Sequence, residues 1–411
     1  MTKTINPCVI GLGYVGLPVF LRLQAKFRSI GFDNDLNRVK NLSKKIDTNK
    51  EFQKKQLILK NKSSFTFDKK KIKLSNFYIV TVPTPITKTN KPDLSHLINA
   101  SILIAKNLKK NDIVIYESTV YPGTTKFLIK NYLNRYSKMN EGKDFFVGYS
   151  PERVNPGDKK HTISKIKKIL AISAPKNFQL QVMTVYKHVS KNLILTNSIE
   201  SAETAKVIEN IQRDLNIAFI NDILTFSDKM NYNFDEILRL ASSKWNFLKF
   251  KPGLVGGHCL PVDPHYLNYV AKLNKIKLKT LLAGRDVNNS MQEFVLKKIK
   301  EKISSIKSKF TRSPKVLICG LTYKKNVSDI RNSLSLQIFL KLRKNYKNIF
   351  GHDINCDDKT QSKLKIKQNI EKIKSKFDII VFLVDHKKNK SLYNYFKKQK
   401  KIIIDPFKLY R

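Results

Sequence analysis

Cys259 stands behind paired glycines and four residues ahead of Asp263, within "FKPGLVGGHCLPVDPHYL", Phe250 to Leu267. Glycines let backbone approach a ligand closely, and a thiol near a carboxylate is either a reactive centre or a small residue filling a core. A thiol is mostly protonated at neutral pH, so a nucleophilic one needs a cation or a helix N-terminus beside it. "AETAKVIEN" offers such a cation, because Lys206 and Asn210 fall one turn apart on one helix face. Taken alone each residue has a plainer reading: Lys206 is one of 79 lysines and arginines, and Cys259 is an inert core residue. His258, Cys259 and His265 supply too few ligands for a metal, and none is expected.

"VIGLGYVGLP" places Gly11, Gly13 and Gly16 in the G-x-G-x-x-G spacing, after an apolar strand and before a helical pattern. In a dinucleotide site the first glycine makes the turn, the second admits the pyrophosphate, and the third lets the helix pack on the sheet. The helix N-terminus then faces the phosphates. The spacing by itself also fits a plain glycine-bearing βα turn. Here, however, a second strand, "SIGFD", ends at Asp33, 22 residues beyond Gly11, where a carboxylate bonds the adenosine ribose hydroxyls. That carboxylate repels a 2′-phosphate, so NAD is expected over NADP, with Arg38 near enough to blur the preference.

The elements that must position these residues follow a readable pattern. "CVIGLG", "SIGFD", "FYIVTVPTP", "DIVIYEST", "FFVGYSPE" and "KKILAIS" are strands interleaved with helical stretches, which predicts βαβ units and a mostly parallel sheet. From Ser198 to about Met230 there is neither Pro nor Gly, and apolar residues recur at helical spacing. At 1.5 Å per residue this predicts one spine helix of roughly 50 Å. "EKISSIKSKFTRSPK" reads as a polar linker ending at Pro314. Beyond it "KVLICGLTYK", "NIFGHD", "FDIIVFLVDH" and "KIIIDP" predict four further strands. The expected fold is α/β: two Rossmann-like doubly wound domains, residues 1–195 and 313–411, joined by a helical central domain, residues 196–300, that holds the spine helix.

A chain of 411 residues exceeds what one core serves, and 41% hydrophobic residues suffice for several. No apolar run is long enough to cross a bilayer, and "MTKTINPCVIGLGYVG" lacks the apolar region of a signal peptide, so a cytoplasmic enzyme without membrane insertion is expected. Cys8, Cys259, Cys319 and Cys356 lie far apart with no C-x-x-C pair, which argues against a zinc ribbon or disulfide scaffold. Apart from Cys259, they sit in or beside apolar strands and read as buried. The net charge of +47 suggests a polyanion partner at first sight. The lysines are nevertheless strewn through "KKIDTNKEFQKKQL", "FDKKKIKL" and "YNYFKKQKKI", and no RNP aromatic motif or zinc finger appears, so a solvated basic surface without a specific nucleic-acid partner is expected.

Seven motifs in consistent order now stand together: Gly11 to Gly16; "VPTP", Val82 to Pro85; "ESTVYPGTT", Glu117 to Thr125; "GYSPERVNPGD", Gly148 to Asp158; "AETAKVIENIQRDLNIAFIND"; "KWNFLKFKPGLVGGHCLPVDPHYL"; and "GLTYKKNVSDIRNS". The ensemble resembles the UDP-sugar 6-dehydrogenase family over nearly the whole chain, and is most similar to its UDP-N-acetylhexosamine branch. The resemblance implies a four-electron oxidation of the sugar C6 alcohol to a carboxylate with two NAD molecules. Cys259 would be the nucleophile, passing through a thiohemiacetal and a thioester. It assigns Lys206 to the oxyanion with Asn210 alongside, Asp263 to ordering the water and the lysine, Glu152 to the base of thioester hydrolysis, and Thr119 to a catalytic water. NAD would lie on Gly11, Gly13, Tyr14, Val15, Gly16, Asp33, Arg38 and Thr84, with Arg331 reaching in from the third segment. The nucleotide sugar would touch Arg153, Phe250, Gly253, Gly257 and Lys324, and the chain would form a homodimer through its central helices.

Departures bear on the sugar. The UDP-glucose branch carries Lys immediately before the aspartate, where this chain has Val262, and a second acid where Pro156 stands. Both favour a UDP-N-acetylhexosamine, N-acetylglucosamine first, over UDP-glucose. Lys251 replaces an arginine common in the favoured branch, and "CLPVDPHYL" differs mildly from its usual form.

Overall fold

The computed structural model of the chain describes residues 4–49, 51–87, 89–153, 162–307, 312–356, 358–364, 366–367, 369–371 and 374–410. Two compact units emerge, Met1–Glu209 with His265–Ile276, and Asn210–Pro264 with Lys277–Arg411.

The first unit is built on an eight-stranded sheet. Its strands are β1 (Pro7–Ile10), β2 (Ile30–Phe32), β3 (Ser64–Thr66), β4 (Phe77–Val80), β5 (Ile113–Tyr116), β6 (Phe146–Tyr149), β7 (Lys167–Ile172) and β8 (Asn192–Thr196), in the order β3-β2-β1-β4-β5-β6-β7-β8. Neighbours run parallel except β6 and β7. Side chains of a strand alternate between faces, and the sheet buries both. Cys8, Ile10, Tyr78, Val80, Val114 and Tyr116 enter one apolar cluster, while Val9, Phe77, Ile79, Ile113 and Ile115 enter the other. Continuous apolar runs such as "FYIV" are what a parallel sheet covered on both sides requires.

The second unit carries a five-stranded, all-parallel sheet of β9 (Val316–Cys319), β10 (Ile349–His352), β11 (Ile366–Lys367), β12 (Ile379–Phe382) and β13 (Ile402–Ile404), ordered β11-β10-β9-β12-β13. Counted from each unit's first strand, this repeats the third-second-first-fourth-fifth order of the first sheet. In both, the order reverses beside the first strand, where ligands of doubly wound folds bind. The expected two Rossmann-like sheets and intervening helices are therefore present.

The spine helix spans Ile199–Lys229, 31 residues, with no Pro or Gly to interrupt it. It belongs to the first unit up to Glu209 and to the second from Asn210. A second long helix, Lys279–Lys307, runs further than the polar composition of "EKISSIK" suggests. Ile303 and Ile306 explain this: one turn apart, they bury against the core shared with Ile220, Leu224, Val316 and Ile318. The stretch read as linker is thus helical through Lys307. Strands β3, β8 and β11 are additions to the sequence reading; β3 and β11 have three and two residues, too few for a period, and β8 is largely exposed at the sheet edge. Among the described residues no helix is long and apolar enough to cross a membrane.

Candidate active site

In the first unit the glycine turn follows β1. Gly11 N donates to Phe32 O at 2.9 Å, so the turn is stitched to the end of β2, and the helix Gly16–Leu23 starts directly after Tyr14 and Val15. Gly16 has no alternative, because a Cβ there would stand 1.8 Å from the carbonyl oxygen of Gly11. At Gly13 a Cβ would meet nothing within 4 Å. Close contact at the third glycine and open space at the second are what a pyrophosphate-binding turn needs, and the residues present fit a dinucleotide.

Asp33 and Arg38 act on the same residue of that turn. Asp33 Oδ2 accepts from Leu12 N at 2.7 Å, and Oδ1 accepts from Asp35 N at 2.9 Å. Arg38 Nε donates to Leu12 O at 2.9 Å, while its Nη1 donates to Asp47 at 2.7 Å and to Thr48 at 2.9 Å. The guanidinium is thus held in the interior beside Asp47, next to the turn.

The loops after β4 and β5 are tied together. Thr84 Oγ1 donates to Thr119 O at 2.6 Å, Ser118 Oγ donates to Val82 O at 2.6 Å, and the Tyr266 hydroxyl donates to Thr84 O. The "YPGTT" turn is held by Glu203 of the spine helix, whose carboxylate accepts from Gly123 N at 2.6 Å, Thr125 N at 2.9 Å and Thr125 Oγ1 at 2.7 Å. Burial raises the Glu203 carboxyl to about 7 despite those bonds. Glu152 is buried just past β6, and Arg153 next to it donates from Nε to Glu209 at 3.2 Å and from Nη1 to Lys167 O at 3.1 Å. Lys206, 7% exposed, points into the protein rather than to solvent.

In the second unit the stretch around Cys259 is pinned at four points. Asn221 clamps the backbone of Gly253 from both sides, donating to its oxygen at 3.0 Å and accepting from its nitrogen at 2.9 Å. Asn332 bonds Gly257, which has φ +92° and leaves no room for a side chain, since a Cβ would lie 2.6 Å from the Tyr323 ring. His258 Nε2 meets Asp329 at 3.1 Å, and Arg331 Nη2 meets the same carboxylate at 2.7 Å. Burial opposes its charge, but His258 and Arg331 together hold the Asp329 carboxyl well below the usual range. Finally Asp263, 2% exposed, accepts from Asn210 Nδ2 at 2.6 Å. Between these anchors Cys259 is exposed, whereas Cys8, Cys319 and Cys356 are buried. The core-residue reading of Cys259 therefore falls away. Its own carbonyl accepts from Val262 N and Asp263 N at 3.0 and 2.9 Å, closing the turn into the helix Asp263–Leu273.

Phe250 packs at the edge of the second unit's core and lines an apolar cavity of about 620 Å³ with Phe219, Leu240, Phe247 and Leu248. Lys324 is half-buried in the loop after β9, where its carbonyl accepts from Thr322 Oγ1 at 3.2 Å. Pro156 lies outside the described residues. Among those described, no three His, Cys, Asp or Glu side chains gather as a metal site.

Three groups escaped the sequence reading. Asp353 directly follows β10 as Asp33 follows β2, and its Oδ2 accepts from Leu321 N at 2.6 Å, the counterpart of the Leu12 bond. Asn221 and Asn332 look like ordinary helix and loop asparagines in sequence. Lys168, buried beside Glu117 and Glu152, was hidden in "KIKKIL"; only the alternation of a strand distinguishes it from Lys167.

Comparison with known proteins agrees along the whole chain. Three domains of the UDP-glucose/GDP-mannose dehydrogenase family match in order, the NAD binding domain over residues 5–190, the central domain over 200–290 and the UDP binding domain over 317–411. A UDP-N-acetyl-D-glucosamine 6-dehydrogenase of Pseudomonas aeruginosa is 42% identical over 346 residues, 83% of this chain and 80% of that protein. The enzyme of the same name from Salmonella typhi is 42% identical over 340 residues, 83% and 80% of the two chains. A solved UDP-D-ManNAc dehydrogenase from Pyrococcus horikoshii is 28% identical with a TM-score of 0.86, covering 99% of this chain and 96% of that one. The chain belongs to the UDP-glucose/GDP-mannose dehydrogenase family and is an NAD-dependent UDP-sugar dehydrogenase.

Proposed function

We propose that this enzyme oxidises the C6 hydroxyl of a UDP-N-acetylhexosamine, UDP-N-acetylglucosamine first, to the uronic acid used for surface polysaccharides. The observation that carries the reading is an exposed Cys259 held on a pinned turn that runs directly into the buried Asn210–Asp263 pair. The choice of sugar is supported by the 42% relatives, by Val262 and by the N-acetylhexosamine-like motifs.

Bound NAD supplies hydride acceptance, two molecules per sugar. The thiolate of Cys259 adds to the C6 aldehyde carbon, and the carbonyl electron pair moves to oxygen. The resulting thiohemiacetal holds the aldehyde in place and is a species that can be oxidised once more, to a thioester. Lys206 and Asn210 stabilise the oxyanion, a role suited to a preorganised cation. Asp263 orders the water, Thr119 holds it, and Glu152 takes its proton as the C–S bond breaks and the thiolate returns. In balance, one alcohol, one water and two NAD⁺ give one carboxylate, two NADH and three protons. Gly11, Gly13, Tyr14, Val15, Gly16, Asp33, Arg38, Thr84 and Arg331 serve the cofactor, while Arg153, Phe250, Gly253, Gly257 and Lys324 serve the nucleotide sugar. Residues 1–195, 196–300 and 313–411 divide these tasks, and exposed Phe219, Phe226, Leu240 and Trp245 support a homodimer through the central helices.

The test is NADH formed per sugar consumed, with UDP-N-acetylglucosamine, UDP-N-acetylgalactosamine, UDP-N-acetylmannosamine and UDP-glucose side by side. Two NADH from an N-acetylhexosamine, lost in Cys259→Ser, is expected. Preference for UDP-glucose, or uronic acid from Cys259→Ser, would overturn the reading.

A further inference from the structure

Strand β7 carries two lysines in succession, and its alternation sends Lys167 to solvent and Lys168 inward, where it is 1% exposed. A buried ammonium is costly unless it is paired and hydrogen-bonded. Lys168 Nζ donates to Glu117 Oε2 at 2.7 Å, and Glu117 Oε1 accepts from the Tyr186 hydroxyl at 2.6 Å. Tyr186 comes from the helix Lys176–Lys187 and its ring lies 5.8 Å from the same ammonium. The second carboxylate, Glu152 Oε2, stands 3.6 Å from Lys168 Nζ.

A structural ion pair needs one carboxylate for one ammonium. Here two buried carboxylates face a single lysine, and the second belongs to the residue read above as the base. We propose that Lys168, anchored by Glu117 and Tyr186, is a positioning residue that holds the Glu152 carboxylate in place to accept the proton of the water that cleaves the thioester. In that step the water oxygen bonds the acyl carbon, the C–S bond breaks, sulfur leaves as the Cys259 thiolate, and Glu152 takes the proton. The inference rests on the reading of Glu152 as the base.

The surrounding groups agree with this arrangement. Burial alone would lower the Lys168 ammonium, but Glu117 and Glu152 raise it, so it stays charged. Burial pushes the Glu117 carboxyl up, against the pull of Lys168. Burial, then Glu117, pushes the Tyr186 phenol well above its usual range, so it remains a hydrogen-bond donor. Glu117 follows β5, Glu152 follows β6, Lys168 lies on β7 and Tyr186 on the helix beside them.

The experiment compares Lys168→Met, Lys168→Arg, Glu117→Gln and Glu152→Gln in the full chain, with NAD and UDP-N-acetylglucosamine or whichever of the four sugars turns over. Removing the cation should lower kcat about 30-fold or more, leave the KM for NAD within about threefold, and accumulate a sugar adduct on Cys259 visible by intact mass spectrometry. The acidic limb of the rate profile should move to higher pH in Lys168→Met and to lower pH in Glu117→Gln, because one loses a positive and the other a negative neighbour of Glu152. Lys168→Arg should restore most of the rate. Adduct accumulation in Glu152→Gln but not in Lys168→Met, or pH limbs that move in the same direction, would sink the positioning role alone. No adduct in Glu152→Gln would instead remove Glu152 as the base. Should Lys168→Met fail to fold, the Glu117→Gln shift decides.

Discussion

Asn210 Nδ2 donates to Asp263 Oδ2 across 2.6 Å, joining the spine helix to the first residue of the helix that follows Cys259. Both groups are buried, and a carboxylate so placed is worth little without its donor. Asp263→Asn keeps the volume and removes the charge. Its kcat should fall about 100-fold or more if the carboxylate orders the reacting water, with the melting temperature nearly unchanged. Steady-state kinetics with a melting curve separates this from unfolding; wild-type turnover would remove Asp263 from the chemistry.

Asp33 holds Leu12 N and, on the reading of the glycine turn, the ribose of NAD. Asp33→Ala should weaken NAD about 10- to 100-fold, the equivalent of one or two charge-assisted hydrogen bonds. Equilibrium titration of NADH fluorescence checks this. Unchanged affinity would place the ribose contact elsewhere.

Gly16 faces the carbonyl of Gly11 so closely that a methyl group cannot be added without moving the turn. Gly16→Ala should cost about 1–3 kcal/mol by overpacking and abolish NAD binding at concentrations that saturate the wild type. Gly13→Ala, which meets nothing within 4 Å of the protein, should fold normally and lose only the cofactor. Calorimetry of both variants with and without NAD distinguishes them. Equal destabilisation of the two would contradict the close approach.

Asp353 gives a pH dependence with a definite sign. Burial opposes its charge, yet bonds from His386, Asn355 N and Leu321 N bring its carboxyl down to about 2. A depressed carboxyl contributes stability that is full above its unfolded value near 4 and is lost as pH falls through about 2, on the order of 2 kcal/mol. The gap in melting temperature between wild type and Asp353→Asn should therefore be constant above pH 4 and narrow below it. A gap that persists unchanged towards pH 2 would mean that the charge does no stabilising there.

Much of this enzyme was legible in one dimension because its signals are periodic or local. Buried parallel strands read as apolar runs, the spine helix as 31 residues without a breaker, and the cofactor turn as three glycines followed at fixed distance by Asp33. The helical end of "EKISSIK" was not legible, since only burial against a core from distant strands outweighs its polar composition. Ion pairing is also non-local. Among so many lysines nothing in sequence marks Lys168 until β7 is placed between Glu117 and Tyr186, 51 residues before it and 18 after. In the same way, composition allows Cys259 to be core or nucleophile. Tertiary structure excludes the core, because Asn221, Asn332, Asp329 and Asn210 pin the turn on either side and leave the thiol at the surface.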